Sequence, residues 1–382
     1  MSDLKLDSLR IQNFRTFKDL TIDRLGRVNL IVGKNNVGKT ALLEGVWLWN
    51  HPEYWHDFAS FLERRLPIKG EKPEREVVNQ RYQNIKSKFY GYPDLYEAAE
   101  VKIYIGPSED VEKRLQVSLE VKEREDILGY GTSGTPTPFL KVVSGAWEDE
   151  KEGFYEGSEI SLSYPGQSDI RYGLVEGSIN FIASDGINIQ EAGEFWDNAV
   201  RANQKKSVLK VMQILVPQLE DVNWVDQPSV NTSLSGSTLR LSECAGKRVP
   251  MISFPDSDRA VSLSSLGEGA SRALWIGTSL VNSENGILLV DEIENGLHYS
   301  AQPDLWQLIF ETAQDLDVQV FATTHSFDCI KAFQQAAQES EAEGRLISLR
   351  RSERVDEEGK IVAVPYDEDA LESVAHSNIE VR

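Results

Sequence analysis

Residues 33 to 40 read Gly33-Lys34-Asn35-Asn36-Val37-Gly38-Lys39-Thr40 and fill every position of the pattern G-x-x-x-x-G-K-[ST]. These residue types suit one chemistry, the grip of a polyphosphate. Glycines let the backbone wrap closely round phosphate oxygens, and N–H groups at a helix start point at negative charge. In that pattern Lys39 reaches the β- and γ-phosphates and the Thr40 hydroxyl binds Mg²⁺. A plain glycine turn is the bland alternative. The context argues against it, because an apolar run precedes the motif and an apolar helical stretch follows.

Three further groups have the chemistry to complete such a site. Ile287-Leu288-Leu289-Val290-Asp291-Glu292 is a buried-strand pattern ending in two acids. It puts Asp291 at a strand's carboxyl end, where α/β sheets hold ligands. Asp291 there suits a metal through its water shell, and Glu292 suits the orientation or deprotonation of an attacking water. Val318–Ala322 is another buried run, ending in Thr323-Thr324-His325-Ser326. A histidine just past a strand next to the acidic one can sense a γ-phosphate. Ser264-Ser265-Leu266-Gly267-Glu268-Gly269 precedes a helix, and its serine hydroxyl and helix N–H groups make an anion site. The rival reading is a capping box, Ser265-x-x-Glu268, which closes the helix end without a ligand. Both can hold of one segment.

The elements that must position these groups follow from periodicity and turn signals. Leu4 to Ile22 reads as β-rich, Val28–Val32 as a buried strand feeding the loop, and Thr40 to Trp49 as a helix. Residues 51–95 are polar and aromatic-rich and read as a helical excursion. Short alternating segments at Val101–Ile105, Leu115–Val121, Phe139–Val143, Ile160–Tyr164 and Ile179–Ile182 predict an antiparallel sheet, with a mobile loop at 129–138. Glu191–Leu215 reads as one helix ending before Pro217. A helix over 264–282 and an alternation of strand and helix to about residue 340 complete the pattern. No heptad run is present, so the long interval between the motifs is not a coiled-coil arm.

Composition bounds the partners. The 382 residues carry a formal net charge of −21, which repels DNA phosphates at long range. Local basic groups, Arg201, Lys205, Lys206 and Lys210, and Arg345, Arg350, Arg351 and Arg354, read first as solvated surface. No apolar window is long enough for a bilayer, no signal peptide is read at the start, and Cys244 and Cys329 suggest neither a disulfide nor a metal site. A reducing cytoplasm is the expected location.

In this order, the four motifs resemble those of ABC-type ATPases of the RecF and SMC class, with the closest likeness to the ATPase part of the overcoming-lysogenization-defect nucleases. Leu9-x-Ile11-x-Asn13-Phe14-Arg15-x-Phe17 is similar to the family's opening strand, Val290 to His298 to its Walker B and D-loop, and Phe321 to Ser326 to its switch-histidine segment. The resemblance implies an α/β P-loop NTPase, an ABC-type ATPase head with an antiparallel β portion and a helical lobe. It implies one ATPase domain over 1–382, with 51–260 inserted between phosphate loop and signature. It further implies ATP and Mg²⁺ as ligands, Arg15 near the nucleotide, and Ser265, Gly267 and Glu268 as a signature that closes the partner protomer's site in an ATP-bound homodimer. About 60 residues follow His325, where the nucleases carry a Toprim domain. Asp367-Glu368-Asp369 has that domain's D-x-D spacing but reads first as acids in a helix's opening turn. The expectation is therefore an ATPase acting on a separately encoded effector such as a nuclease in antiviral defence, with a RecF-like DNA repair clamp and a non-hydrolysing, ATP-clamped binding module as the alternatives.

Overall fold

The computed structural model describes residues 4–51, 87–91, 101–123, 136–144, 158–161, 178–226, 248–354 apart from Asp256 and Asp258, and 359–366. In chain order the strands are β1 Leu9–Phe14, β2 Phe17–Ile22, β3 Val28–Val32, β4 Lys102–Gly106, β5 Leu115–Glu123, β6 Pro136–Ser144, β7 Ser158–Ser161, β8 Ile179–Ile182, β9 Asp221–Asp226, β10 Arg248–Ser253, β11 Val261–Ser262, β12 Ile287–Val290, β13 Gln319–Thr323, β14 Gly344–Arg351 and β15 Ile361–Tyr366. The helices are α1 Lys39–Asn50, α2 Ile189–Arg201, α3 Lys205–Leu215, α4 Glu268–Asn282, α5 Gln302–Asp315 and α6 Phe327–Glu339.

Among the described residues, one sheet runs β15-β14-β3-β13-β12-β8. Its inner pairs are parallel and only β15 is antiparallel. Strands β3, β12 and β13 are buried along their whole length, which is why they read as unbroken apolar runs rather than alternating ones. Alternate residues serve two cores. Val28, Leu30, Leu288, Val290, Val320 and Ala322 pack under α2 to α6. Ile31, Ile287, Leu289 and Phe321 face the other way, towards α1 and the antiparallel sheet β2-β1-β4-β5-β6-β7. A third, small antiparallel sheet has the order β11-β10-β9.

Helix α1 lies between the two large sheets, with every residue but Thr40 buried. It touches β1 and β4 on one side and β8, β12 and β13 on the other. Trp306 and Phe310 of α5 meet Phe333 of α6 in ring contacts at 5.0 and 5.5 Å between centroids.

The structure corrects the sequence reading in three places. Ile179–Ile182 does not join the antiparallel sheet; it pairs in parallel with β12, at the edge of the other sheet. A four-residue apolar strand carries no sign of its partner's direction, and here Asp291 N–H donates to Ile182 O at 2.8 Å, which seats the strand beside the acidic loop. The single helix expected over 191–215 is two helices, broken by Asn203 in the left-handed region at φ 60°. The helix expected from residue 264 is a 3-10 turn, Leu263–Leu266, followed by α4 from Glu268. The helical reading of 51–95 falls mostly on residues outside those described, as do residues 129–135 of the expected loop, Asp367-Glu368-Asp369 and Cys244. Residues 136–138 of that loop belong to β6.

Candidate nucleotide site

The phosphate-loop motif forms the turn between β3 and α1. Gly33 has φ 145° and Gly38 has φ 96°, conformations that side chains disfavour. At Gly33 the space is also closed, since a Cβ would stand 2.4 Å from Leu349 O on β14. Lys34, Asn35 and Asn36 are exposed at the tip, while Val37 turns inward. Lys39 folds back over the loop, and its Nζ donates to Gly33 O at 2.8 Å and to Lys34 O at 3.3 Å. Burial lowers its pKa, opposed by the carboxylates of Asp291, Glu292 and Glu294. Three negative groups therefore surround a lysine that also borders the loop carbonyls.

Strands β12 and β13 deliver the acidic side. Asp291 follows β12 and is 3% exposed. Thr40 Oγ1 stands 3.1 and 3.0 Å from its two carboxylate oxygens, and Thr323 Oγ1 at the end of β13 donates to Oδ1 at 2.7 Å. The same Thr323 hydroxyl accepts from Glu292 N–H at 2.8 Å. Glu292 itself has φ 49°, unusual for a non-glycine residue, and its Oε2 accepts from Asn295 Nδ2 at 2.8 Å.

His325 completes the cluster from beyond β13. Its Nδ1 lies 3.1 Å from Glu294 Oε1 and 3.8 Å from Glu292 Oε1, and its backbone N–H donates to the same Glu294 oxygen at 2.9 Å. Among the described residues none bonds to Nε2, and the side chain is 54% exposed. The structure thus gathers Lys39, Thr40, Asp291, Glu292 and His325 at the ends of three neighbouring parallel strands, the usual ligand edge of such a sheet.

Two of the expected site groups stand differently. Arg15, at φ 51° in the β1–β2 turn, directs its Nη2 to the buried Glu44 of α1 at 2.6 Å, so its guanidinium is already engaged. Its neighbours Thr16 and Phe17 pack against Gly38. The Ser265-x-x-Glu268 capping box does not form: Ser265 Oγ donates to Ser262 O at 2.6 Å, and Gly267 stands at the head of α4 with no side-chain cap. Ser265, Gly267 and Glu268 are all exposed, which leaves that helix start open.

Sequence reasoning missed Thr323, Glu294, Asn295 and Arg272. Thr323 lay inside a quoted motif but carried no role. Arg272 is a buried charge among the buried Ala270, Ala273 and Leu274 of α4, and that break in the pattern was its only signal. Among the described residues no group of three or more His, Cys, Asp or Glu is placed to hold a metal by itself, and no helix is long and apolar enough to cross a membrane.

The chain is 22% identical over 353 residues, 88% of its length and 89% of the relative's, to a protein of Helicobacter pylori named ATP/GTP phosphatase. It is 25% identical over 118 residues, 31% of this chain and 29% of the other, to the DNA replication and repair protein RecF of Francisella tularensis subsp. novicida. Among solved structures it is similar to the SMC head domain from Thermotoga maritima, at 14% identity over 95% of this chain and 99% of that one, with TM-score 0.42. It is also similar to an SMC head bound to the C-winged helix domain of ScpA, at 12% identity over 96% and 99%, with TM-score 0.46. A family model described as an AAA ATPase domain matches residues 4–116 and 184–330. That is more than half of the chain, and it spans the phosphate loop, Asp291, Glu292 and His325: this protein belongs to the AAA ATPase-domain family.

Proposed function

We propose that this protein is a Mg²⁺-dependent ATPase that closes into a homodimer on binding ATP and reopens on hydrolysis. The observation that carries the reading is the hydrogen-bonded chain from Thr40 through Asp291 and Thr323 to the Glu292 backbone. It ties the residue that ends the phosphate loop to the acid placed to handle water.

The donor set fits magnesium. A threonine hydroxyl and one carboxylate offer hard oxygens, and Mg²⁺ typically takes one or two such ligands and completes its shell with phosphates and water. Thr40 and Asp291 would hold it; when bound it supplies charge neutralisation at the phosphate oxygens. Lys39 would leave the Gly33 and Lys34 carbonyls for the β- and γ-phosphates, with the loop N–H groups holding the remaining oxygens. Glu292, fixed through Asn295, would orient a water for in-line attack and accept its proton. His325, held by Glu294, would meet the γ-phosphate through Nε2.

The exposed Ser265–Glu268 segment supports a role between protomers, since an open helix start offers N–H groups to an anion brought by a second copy. The likeness to the overcoming-lysogenization-defect nucleases extends the reading to a cytoplasmic ATPase whose nucleotide state captures or releases a separate effector chain. The net charge of −21 weighs against DNA as the primary partner.

The test is MgATP calorimetry with phosphate release and light scattering, on the wild-type protein and on Glu292→Gln. The variant should bind MgATP with affinity within about threefold of wild type, lose at least about 100-fold in kcat, and persist as a dimer. Absence of binding heat in the wild type sinks the reading; unchanged turnover in Glu292→Gln removes that residue from the chemistry.

A further inference from the structure

Helix α4 carries a full charge into the core. Arg272, one turn past Glu268, is 2% exposed. Among the described residues no carboxylate pairs with it within 4 Å. Its guanidinium instead reaches three backbone carbonyls: Nη1 donates to Ala183 O at 2.8 Å, and Nη2 donates to Asp291 O at 2.6 Å and to Glu292 O at 2.9 Å. Among the described residues its buried Nε has no acceptor. Burial lowers its pKa to about 10, against the opposing pull of Asp291, Glu294 and Glu292, so it stays charged at neutral pH.

A buried guanidinium without an ion-pair partner opposes folding, and an alkyl side chain would fill the same space without that penalty. What the charge holds is therefore informative. Glu292 sits in the left-handed region at φ 49°, a strain that persists only where the surroundings over-determine it. Its N–H is held by Thr323, and its carbonyl accepts from Arg272 at 2.9 Å and from the Asn295 N–H at 3.0 Å. Of these three tethers, only Arg272 comes from the helix that opens with the signature segment. That helix start is also pressed on the loop after Glu292, since a Cβ at Gly269 would stand 2.6 Å from Gly296 O.

We propose that Arg272 is a positioning residue that holds the Glu292 backbone from α4, so that the placement of the Ser265–Glu268 segment sets the rate of hydrolysis. The proposal rests on Glu292 acting on the attacking water, as read above. It gives the signature helix a line of control within its own protomer: displacement of α4 is felt at the Asp291 and Glu292 carbonyls without passing through the nucleotide.

Four variants of the full chain test it: Arg272→Met, Arg272→Lys, which keeps the charge but not the planar fork of donors, Glu292→Gln, and Arg272→Lys combined with Glu292→Gln. Each is measured for phosphate release, MgATP affinity and Tm. Arg272→Lys should lose about 30-fold in kcat and Arg272→Met about 100-fold or more, with KM within about threefold of wild type. In the Glu292→Gln background, adding Arg272→Lys should change the residual rate by less than about twofold, because the two residues act through one another. A folded Arg272→Lys with wild-type kcat overturns the proposal alone, as does an equal loss in both backgrounds. A wild-type protein that binds but does not hydrolyse ATP overturns the hydrolytic reading and this proposal together.

Discussion

The Thr40 hydroxyl stands 3.0 and 3.1 Å from the two carboxylate oxygens of Asp291, although 251 residues separate them in the chain. The contact exists because β3 and β12 flank β13 in one parallel sheet, so the loops leaving their carboxyl ends open on the same edge. Thr323, from the strand between them, completes the bridge to Asp291 and Glu292.

Removing that bridge gives the first prediction. Thr323→Val keeps the shape but deletes a fully buried hydroxyl that both donates to Asp291 and accepts from Glu292 N–H. Leaving the Glu292 N–H without this acceptor, while Asp291 keeps Thr40, should cost about 1–3 kcal/mol of stability and lower kcat by about 10-fold or more. Urea unfolding and steady-state turnover report the two effects; a variant with wild-type values in both would show the bridge to be incidental.

Lys39 carries the second. Its ammonium is held by the Gly33 and Lys34 carbonyls, so it stands at the mouth of the loop. Lys39→Ala should weaken MgATP by about 100-fold or more while leaving the fold intact, since the lost contacts lie at a turn. Titration calorimetry with circular dichroism as a control checks this, and undiminished binding would place the triphosphate elsewhere.

The third concerns the pairing of Glu294 with His325. One carboxylate oxygen of Glu294 meets both the backbone N–H and the ring Nδ1 of His325. Glu294→Ala should free the ring and reduce kcat by about 10-fold, and a further His325→Ala should add little, because the two act as one unit. Multiplicative losses in the double variant would show separate roles.

A fourth follows from Lys88, buried beside Arg15 and Glu44. Burial first, and the Arg15 charge second, push its pKa down to about 7 from the ordinary 10.5. Between these values the unfolded chain binds more protons than the folded one at this site, so this contribution to stability rises with pH across that window and is flat below it. Lys88→Met should therefore raise Tm most at about pH 6, with the gain shrinking towards pH 9. A gain that does not change over that range would mean that Lys88 remains protonated in the fold.

What the sequence disclosed was whatever is written locally. The phosphate loop and the strands ending at Asp291 and His325 are contiguous, and each brings its own flanking pattern. The direction of β8 was not legible, because Ile-Asn-Phe-Ile reads the same in either kind of sheet. The break at Asn203 was hidden by apolar spacing that runs on through α2 and α3. The capping box was legible and did not form: the 3-10 turn drew the Ser265 hydroxyl to Ser262 O instead. Arg272 was out of reach, since its three carbonyl partners come from elsewhere in the chain and meet only when β8 and β12 are side by side.

Helix α1 has almost no free perimeter. A Cβ at Gly45 would already stand 3.0 Å from Ile11 Cδ1, and Leu42, Leu43, Val46 and Leu48 are wholly enclosed. Close-packed interiors transmit displacement instead of absorbing it. A pull on the loop at its tip cannot be relieved by rotating or sliding the helix alone, so the two large sheets must shift with it as a lever on a fixed axle.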